Sequence, residues 1–454
     1  MMASENRFEC PSILLATWHI GATCTVVNPL YSTDELQHAF QISQPRVVFA
    51  SSLSFDKVQN IRQICTSIQR IINIDTEDCT LQSATELELN TIKTKIEKIE
   101  PTDIATILYS SGTTGLSKGV KLSHKSYIHL MEIYRTEKFM QFPKNNVISG
   151  LLPMSHAYGL FVMISSLTLG HTYVLMKRYT GESFLNYVQK YRINTLYIVP
   201  AIISFIAKNS IVFDYDLSCV KYISTGGSSI RKEIMEKLKQ RLPNAKIFQH
   251  YGMTESTTMC LVSQANSKPD STGKLVPGMM AKVVDIDTGA ILGPNKSGEL
   301  CIKGPLLMNG YCQNKDNVIQ GIDEDGWLHT GDVAYFDEDL DFYIIDRIKE
   351  LIKYKSFQVP PQEIELLLMQ HDAVEEVGVV GVPDEETGEL PRAYIVKKNG
   401  FENVTETDLQ QYVAKNISPP KRLRGGVIFV NELPKTALGK ISRKDLKKWV
   451  QRDI

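Results

Sequence analysis

The chain has 454 residues, of which 43% are hydrophobic and 22% are charged, a composition typical of a folded globular protein and unlike that of a disordered one. Its 50 Lys and Arg residues against 51 Asp and Glu residues give a formal net charge of −1, which argues against a general electrostatic attraction to nucleic acid or to an anionic membrane. No uninterrupted apolar run reaches the roughly 18 residues that a membrane-spanning helix needs.

The first part of the chain alternates short β-branched runs with helical patterns, which predicts parallel strands connected by helices. Period and composition predict strands at 46–50, 105–108, 195–199 and 220–224. They predict helices at 34–42, at 231–241, where Ser228 or Ser229 could cap the start, and, as a buried helix, at 157–170.

From about Gly273 onwards the pattern changes to short strands separated by Gly, Asn and Asp turns, which favours a small β-barrel-like subdomain. These strands are predicted at 281–287, 298–303 and 342–345. The tail then predicts helices at 363–371, from Thr405 and at the basic end, and strands at 374–382, 392–396 and 426–430.

We therefore predict an α/β fold with two domains. Residues 1–346 would form a large domain of parallel sheets and helices that includes the β-barrel-like subdomain, and residues 347–454 a small, mobile α+β domain with its boundary near Arg347. The eight cysteines are scattered and form no C-x-x-C pair, so the spacing predicts neither a zinc site nor a redox dithiol, but reduced thiols in a reducing compartment.

The segment 109–119, YSSGTTGLSKG, combines hydroxyls, three glycines and Lys118 directly after a predicted strand. Glycines let backbone N–H groups approach an anion, hydroxyls donate further hydrogen bonds, and the lysine adds a positive charge, so the composition is typical of a phosphate-binding loop. It does not fit the Walker pattern, because Ser117 stands where that pattern has its second glycine. On its own, the segment is about equally consistent with a flexible surface turn.

Four further segments follow it in order: 250–255 (HYGMTE), 326–332 (GWLHTGD), 343–353 (YIIDRIKELIK) and 433–440 (LPKTALGK). Together, the five segments resemble the signature of the adenylate-forming superfamily, which includes acyl-CoA synthetases, coumarate–CoA ligases and beetle luciferases. The resemblance runs from about Asn6 to the end of the chain. Within the superfamily, the sequence is most similar to insect luciferase-like acyl-CoA synthetases.

The resemblance implies an AMP-forming acid–thiol ligase that uses ATP, Mg²⁺ and coenzyme A. A carboxylate, here expected to be a medium- or long-chain fatty acid, would attack the α-phosphate of ATP, and coenzyme A would then displace AMP from the acyl-adenylate. An aromatic acid ligase of the coumarate type is the close alternative. The partners expected are these small molecules, with no nucleic acid and no transmembrane segment. The segment between Tyr134 and Val147 lacks the arginine-bearing stretch of luminous relatives, so light emission is not expected.

The same resemblance implies a role for each nucleotide-site residue. Glu255 would hold Mg²⁺ and Thr254 would donate to the α-phosphate, although the pair alone reads as a capped helix start. Asp332 would accept hydrogen bonds from the ribose hydroxyls, and Arg347 would contact the ribose or the α-phosphate; alone, they read as a turn residue and a surface ion pair. The residues implied around the phosphates and the adenine are Ser111, Gly112, Thr113, Thr114, Gly115, Lys118, Gly226, Gly227, Ser228, Tyr251 and Gly252.

Further residues carry implied roles in adenylation and in the second step. Lys440 would bridge the substrate carboxylate and the α-phosphate, and His156 would gate the acyl pocket. Lys349 would be the hinge about which the C-terminal domain rotates, bringing Lys355 to the coenzyme A side. The family usually has glycine where this chain has Ser356, so a side chain there could narrow the path of the thiol.

Two expectations concern the chain as a whole. Family members usually carry a further segment before the position of Asn6, so the chain is expected to be shortened at its N-terminus, and a catalytically impaired adenylate-binding protein is a third alternative. The resemblance implies a cytoplasmic or peroxisomal location, although the final residues are not the peroxisomal S-K-L tripeptide.

Overall fold

The computed structural model describes most of the chain, and everything stated below concerns the described residues. These are residues 1–76, 98–110, 117–136, 146–227, 230, 232–263, 267–268, 270–312, 321–355, 357–435 and 441–451. None of the helices in these ranges is both long and apolar enough to cross a bilayer.

The first sheet is six-stranded, with the order β4-β3-β1-β2-β5-β6. All its pairings are parallel except β5 with β6, which form an antiparallel edge. Its strands are β1 (Met2–Ala3), β2 (Cys24–Val27), β3 (Val47–Ala50), β4 (Arg70–Asn73), β5 (Ile104–Ser110) and β6 (Lys118–Ser123).

The second sheet is seven-stranded, with the order β13-β12-β11-β10-β9-β7-β8. Its pairings from β8 to β11 are parallel, and the two short strands at the other edge are antiparallel. Its strands are β7 (Val147–Gly150), β8 (Thr172–Leu175), β9 (Thr195–Ile198), β10 (Tyr222–Gly226), β11 (Lys246–Tyr251), β12 (Leu261–Val262) and β13 (Lys274–Leu275).

The third sheet is antiparallel throughout, in the order β15-β14-β16-β17-β18, and corresponds to the predicted small β subdomain. Its strands are β14 (Met280–Val284), β15 (Ile291–Leu292), β16 (Gly298–Lys303), β17 (Leu328–Phe336) and β18 (Phe342–Arg347).

The tail forms a fourth sheet, β20-β19-β22-β21, to which β23 adds in parallel along β22. Its strands are β19 (Ile352–Tyr354), β20 (Phe357–Val359), β21 (Val374–Asp384), β22 (Gly388–Lys397) and β23 (Val427–Phe429). Its own apolar core includes Ile364, Leu368, Ile395 and Leu409. The fold is thus a mixed α/β structure in which parallel sheets come first and antiparallel pairing dominates later, as predicted.

The α-helices connect and cover these sheets. They are α1 (Glu9–His19), α2 (Thr33–Ser43), α3 (Phe55–Arg62), α4 (His124–Arg135), α5 (Ala157–Leu169), α6 (Gly181–Lys190), α7 (Pro200–Lys208), α8 (Lys232–Arg241), α9 (Pro361–Leu368), α10 (Glu406–Asn416) and α11 (Arg443–Val450).

Local sequence signals explain where several helices begin and end. Ser32 and Glu35 form a capping box at the start of α2, and Thr405 with Asp408 does the same for α10, as predicted for Thr405. The buried helix α5 ends at Gly170, whose φ of 69° is a left-handed conformation that glycine adopts without penalty.

Several predicted boundaries were shifted: the strand predicted at 281–287 ends at Val284, and the one predicted at 392–396 begins at Gly388. The strand expected at 220–224 lies two residues later, because β10 stays paired with β11 up to Gly226. The helix expected at 363–371 begins at Pro361 and ends at Leu368. The proposed capping residues Ser228 and Ser229 lie outside the described residues.

The tail is joined to the third sheet by polar contacts around the buried carboxylate of Asp346 at the end of β18. Arg443 of α11 donates to Asp346 Oδ1 over 3.1 Å, and the backbone N–H of Gln362 donates to Oδ2 over 2.8 Å. Arg443 also pairs with Glu365 of α9, with an Nη2–Oε2 distance of 2.6 Å. The two domains predicted with a boundary near Arg347 remain a prediction, but this contact lies at that boundary.

Candidate active site

The site is built where the ends of β10 and β11 meet the hairpin of β17 and β18. Tyr251 is the last residue of β11, while Asp332 and Arg347 are register partners on the two strands of the hairpin. The phenol of Tyr251 donates to Asp332 Oδ2 over 2.6 Å, and Arg347 Nε lies 3.2 Å from Oδ1. Three predicted nucleotide-site residues are thus in direct contact, although Arg347 comes 96 positions after Tyr251 in the sequence.

Burial sets the protonation behaviour of this contact. Removal from water raises the pKa of Asp332, and the charges and hydrogen bond from Arg347 and Tyr251 only partly oppose this. Burial, and then the charge of Asp332, raise the pKa of Tyr251 far above its ordinary value, so the phenol stays a proton donor. The carboxylate is nearly buried, while the Arg347 side chain is half exposed at the mouth of the site.

Glycines bring the backbone of two strand ends close together at this place. Gly226 ends β10 beside His250 of β11, and Gly227 follows with a φ of 93°. A Cβ on Gly252 would lie 2.1 Å from the carbonyl oxygen of Thr258, so only glycine fits there without moving the backbone. The main chain that follows Tyr251 is therefore in close contact with the backbone of Thr258 and Met259.

Glu255 lies in the short 3-10 helix Thr254–Ser256 that follows Gly252. Its Oε1 accepts hydrogen bonds from the hydroxyl of Ser110, over 2.8 Å, and from the phenol of Tyr311, over 3.1 Å. Its Oε2 has no hydrogen-bond partner within the described ranges. A half-buried carboxylate that offers one oxygen fits Mg²⁺, which is usually bound by one or two carboxylates, phosphate oxygens and water. Thr254 is buried beside it.

Two lysines add positive charge near Glu255 and Asp332. Lys118 begins β6, and its ammonium lies 4.8 Å from the ring centre of Tyr311. Lys349 lies in the 3-10 turn Ile348–Glu350, where burial, and then repulsion from Arg347 and Lys118, lowers its pKa. With Arg347, these two lysines bring three positive charges close to the two carboxylates. Such a cluster can neutralise the charge of a polyanionic ligand.

A polar network buried beneath the strand ends was not predicted. Ser224 Oγ lies 2.9 Å from the phenol of Tyr158 and 2.7 Å from His250 Nε2. His250 Nδ1 lies 3.1 Å from the sulfur of Met259, and burial lowers the pKa of the imidazole to about 3. His250 therefore stays neutral at physiological pH. The sequence showed His250 inside a motif but gave no sign of its partners on β10 and α5.

Other predicted residues have a different setting. His156 is exposed and caps α5, because its Nδ1 accepts a hydrogen bond from the N–H of Tyr158 over 3.2 Å. Lys355 lies in the turn between β19 and β20 with a φ of 53°, and its ammonium lies 5.7 Å from the ring centre of Tyr354. The gate role of His156 and the coenzyme A contact of Lys355 stay predictions. The remaining predicted residues lie outside the described ranges: Ser111, Gly112, Thr113, Thr114, Gly115, Ser228, Ser356 and Lys440.

Two models of protein families match this chain. The family model of AMP-binding enzymes matches residues 1–312, and that of the AMP-binding enzyme C-terminal domain matches residues 363–440. These two matches cover most of the chain and include the described part of the site up to Tyr311.

Individual proteins give the same result. Luciferin 4-monooxygenase of Photinus pyralis is 38% identical over 459 residues, which cover 98% of this chain and 83% of that protein. 4-Coumarate–CoA ligase 3 of Arabidopsis thaliana is 37% identical over 461 residues, covering 98% and 81%. Among solved structures, o-succinylbenzoate CoA synthetase of Bacillus subtilis, in complex with its acyl-adenylate intermediate, superposes with a TM-score of 0.81 at 25% identity, covering 98% of this chain and 87% of that one.

Proposed function

We propose, from the premise that this chain belongs to the family of AMP-binding enzymes, that it activates a carboxylic acid with ATP and transfers the acyl group to coenzyme A. The acid would become an acyl-adenylate with release of pyrophosphate, and the thiol of coenzyme A would then displace AMP. The observation that carries the proposal is the buried carboxylate of Asp332, held between the phenol of Tyr251 and the guanidinium of Arg347, with Lys349 as a second cation nearby.

The nucleoside would lie between the glycine-rich ends of β10 and β11 and the β17–β18 hairpin. The ring of Tyr251 would stack on adenine, and Gly226, Gly227, Ser228 and Gly252 would line the nucleoside. Asp332 would accept hydrogen bonds from the two ribose hydroxyls, since one carboxylate can accept both. Arg347, at the mouth, would reach the ribose or the α-phosphate.

The triphosphate would extend from there towards the segment 111–115 and Lys118. Attack of a carboxylate on a phosphate brings two anions together, so the protein has to neutralise charge before bonds change. Lys118 would act on the departing pyrophosphate, and Thr254 would donate to the α-phosphate. Glu255 would hold Mg²⁺, which when bound supplies positive charge to the phosphate oxygens.

Lys440 would supply the cation for adenylation, bridging the substrate carboxylate and the α-phosphate. The described residues beyond it support this placement, because Arg443 bonds Asp346, the direct neighbour of Arg347. For the second step, the tail would turn about Lys349 and bring Lys355 and Ser356 to the path of coenzyme A. The side chain of Ser356, at a position where the family usually has glycine, makes this second step the one most open to impairment.

The acid is proposed to be a medium- or long-chain fatty acid. Tyr158 and Met259, which contact Ser224 and His250 just below the strand ends of the proposed nucleotide site, belong to a buried apolar cluster. An acyl group that reached this region would therefore meet largely apolar side chains. The 37% identical coumarate–CoA ligase favours an aromatic acid as the second candidate.

The test is acid-dependent exchange between ATP and labelled pyrophosphate, followed by AMP release with coenzyme A, over a panel of fatty acids of graded length, hydroxycinnamates and luciferin. Exchange with AMP release is the expected result, and the best acid defines the substrate class. Exchange without AMP release would show an adenylating protein impaired in the second step. Nucleotide binding without exchange for any acid would refute the proposal and favour an adenylate-binding protein.

Lys440→Ala should slow exchange by a factor on the order of 10²–10³, as for the loss of one preorganised donor, and should slow thioester formation from preformed acyl-adenylate far less. Lys444→Ala, which removes an exposed lysine at the start of α11, is the matched control. Equal losses in the two half-reactions of the Lys440 variant would contradict its assignment to adenylation.

A further inference from the structure

Three side chains with different donor atoms converge on the third sheet, where the N–H of Gly331, next to Asp332, also donates to Glu299 Oε1 over 3.1 Å. Cys301 of β16 and His329 of β17 are register partners, and Glu299 lies two residues before Cys301, across an irregularity in the pairing. The sulfur, one imidazole nitrogen and one carboxylate oxygen all lie within 4.8 Å of one another. We infer that Glu299, Cys301 and His329 form a binding site for a Zn²⁺-class ion.

The distances suit a small ion after modest movement. Cys301 Sγ lies 3.5 Å from His329 Nδ1, and Glu299 Oε2 lies 2.7 Å from the same nitrogen. Bond lengths of about 2.0–2.3 Å in a tetrahedral zinc site place ligand atoms roughly 3.3–3.8 Å apart. The sulfur–nitrogen distance already falls in this range, while the carboxylate oxygen has to move away from the nitrogen, which a glutamate side chain allows.

A second carboxylate orients the histidine from its other side. Asp323 Oδ2 lies 3.5 Å from His329 Nε2, and the backbone N–H of Trp327 fixes Asp323 over 2.8 Å. In the metal-free protein the nearer carboxylate, Glu299, lies on Nδ1, so an ion that binds Nδ1 would displace the proton between them. Asp323 would then hold the remaining proton on Nε2, which is the arrangement common among metal-binding histidines. Three ligands with an outer carboxylate leave a fourth position for water.

The donor set indicates which ion fits. Thiolate, imidazole and carboxylate together suit a borderline-soft ion such as Zn²⁺, whereas Mg²⁺ and Ca²⁺ prefer oxygen alone. The charged groups facing Cys301 are Glu299, Asp323 and Lys282, so with a thiolate the cluster carries an excess of two negative charges, which a divalent ion balances. His329 is partly exposed, which leaves a path from solvent to the buried sulfur.

The spacing of the cysteines predicted no zinc site, because a spacing rule detects only ligands that are close in sequence. Here 28 positions separate Cys301 from His329, and the strand register brings them together. Burial, and then the charge of Glu299, raise the pKa of the Cys301 thiol to about 12, so the ion has to displace a proton from sulfur. Binding should therefore strengthen as the pH rises.

The experiment titrates the reduced, chelator-treated protein with Zn²⁺ by calorimetry and with Cd²⁺ by ultraviolet absorption, where a bound thiolate gives a charge-transfer band. Neither measurement uses ATP or an acid, so the result is independent of the proposed function. One ion should bind per chain, with the Cd²⁺ band present.

Cys301→Ser and His329→Gln should each weaken Zn²⁺ binding at least tenfold, and Cys301→Ser should also abolish the Cd²⁺ band. Cys65→Ser, which removes a partly exposed thiol elsewhere in the chain, is the matched control and should change neither. Binding that is the same within twofold in both site variants, or that Cys65→Ser weakens equally, would overturn the inference.

Discussion

His250 offers a quantitative test of how the core beneath the candidate site is built. Its imidazole is fully buried between Ser224 and Met259, and burial lowers its pKa to about 3 from an ordinary value of 6.5. Because the folded-state pKa lies below the unfolded-state value, the unfolded chain binds the proton first as the pH falls. The folded state therefore loses stability from about pH 7 downwards, until the folded form also takes up a proton near pH 3.

The size of the effect follows from the two pKa values. At pH 7 roughly a quarter of unfolded histidines are protonated and at pH 5 nearly all are, while the folded imidazole of His250 stays neutral at both. The difference in free energy of unfolding between pH 7 and pH 5 is then about 2 kcal/mol from this one residue. A folded-state pKa one unit higher would change this figure by less than about 0.1 kcal/mol.

The perturbation is His250→Gln, which keeps a polar side chain of similar size next to Ser224. Urea denaturation at pH 7 and pH 5 should show a loss of stability on acidification that is about 2 kcal/mol smaller in the variant. Calorimetry at pH 5 in buffers of different ionisation enthalpy should show about one proton fewer taken up on unfolding. His19→Gln, which removes an exposed ring, controls for the number of histidines.

The reasoning would be refuted if the variant and the unsubstituted chain lost the same stability between pH 7 and pH 5. A proton uptake on unfolding that is unaffected by His250→Gln would have the same meaning. Either result would show that the ring is protonated in the folded state and that the network has a charged member.

Three further changes test other parts of the structure. Asp332→Asn should raise the KM for ATP about 10- to 100-fold and change kcat less, because charge-assisted hydrogen bonds to the ribose are lost; an unchanged KM would remove Asp332 from the nucleotide site. Gly252→Ala should destabilise the fold by about 2–3 kcal/mol in urea denaturation, since the new Cβ would lie 2.1 Å from the carbonyl oxygen of Thr258; an unchanged urea midpoint would mean that this loop relaxes freely. Arg443→Met should cost about 3–5 kcal/mol by the same measurement, because it leaves the carboxylates of Asp346 and Glu365 without their cationic partner; a cost below 1 kcal/mol would show that water replaces the pairs.

The fold could be predicted from the sequence mainly where the signal is local. The start of α10 at Thr405 depends on a capping box, and β3 depends on a β-branched run, so both signals come from residues that are close in the sequence. Both elements were predicted. The end of β10 was misplaced because Gly226 favours a turn locally, whereas its pairing with His250 keeps it in the sheet. Tertiary pairing overrode propensity at that position.

The candidate site was also predicted only in part: the motifs identified several of its residues, but not the contacts between them. The motifs named Tyr251, Asp332 and Glu255, and the structure places them at one edge of the sheets. The partner of Glu255 was missed, because Ser110 lies 145 positions earlier and no periodicity connects them. The same holds for the network of His250, which depends on how α5 packs against β10.

The two contacts of Asp332 bear on which nucleotides the protein accepts. Its carboxylate already accepts a hydrogen bond from Tyr251 and pairs with the guanidinium of Arg347. The hydroxyls of a bound sugar therefore have to compete with these two intramolecular contacts. A ribose brings two hydroxyls to that exchange, whereas a 2′-deoxyribose brings one. We expect deoxy-ATP to lose more binding free energy relative to ATP than one hydrogen bond contributes. The reason is that the single hydroxyl of the deoxyribose cannot replace both contacts of Asp332 that sugar binding disturbs.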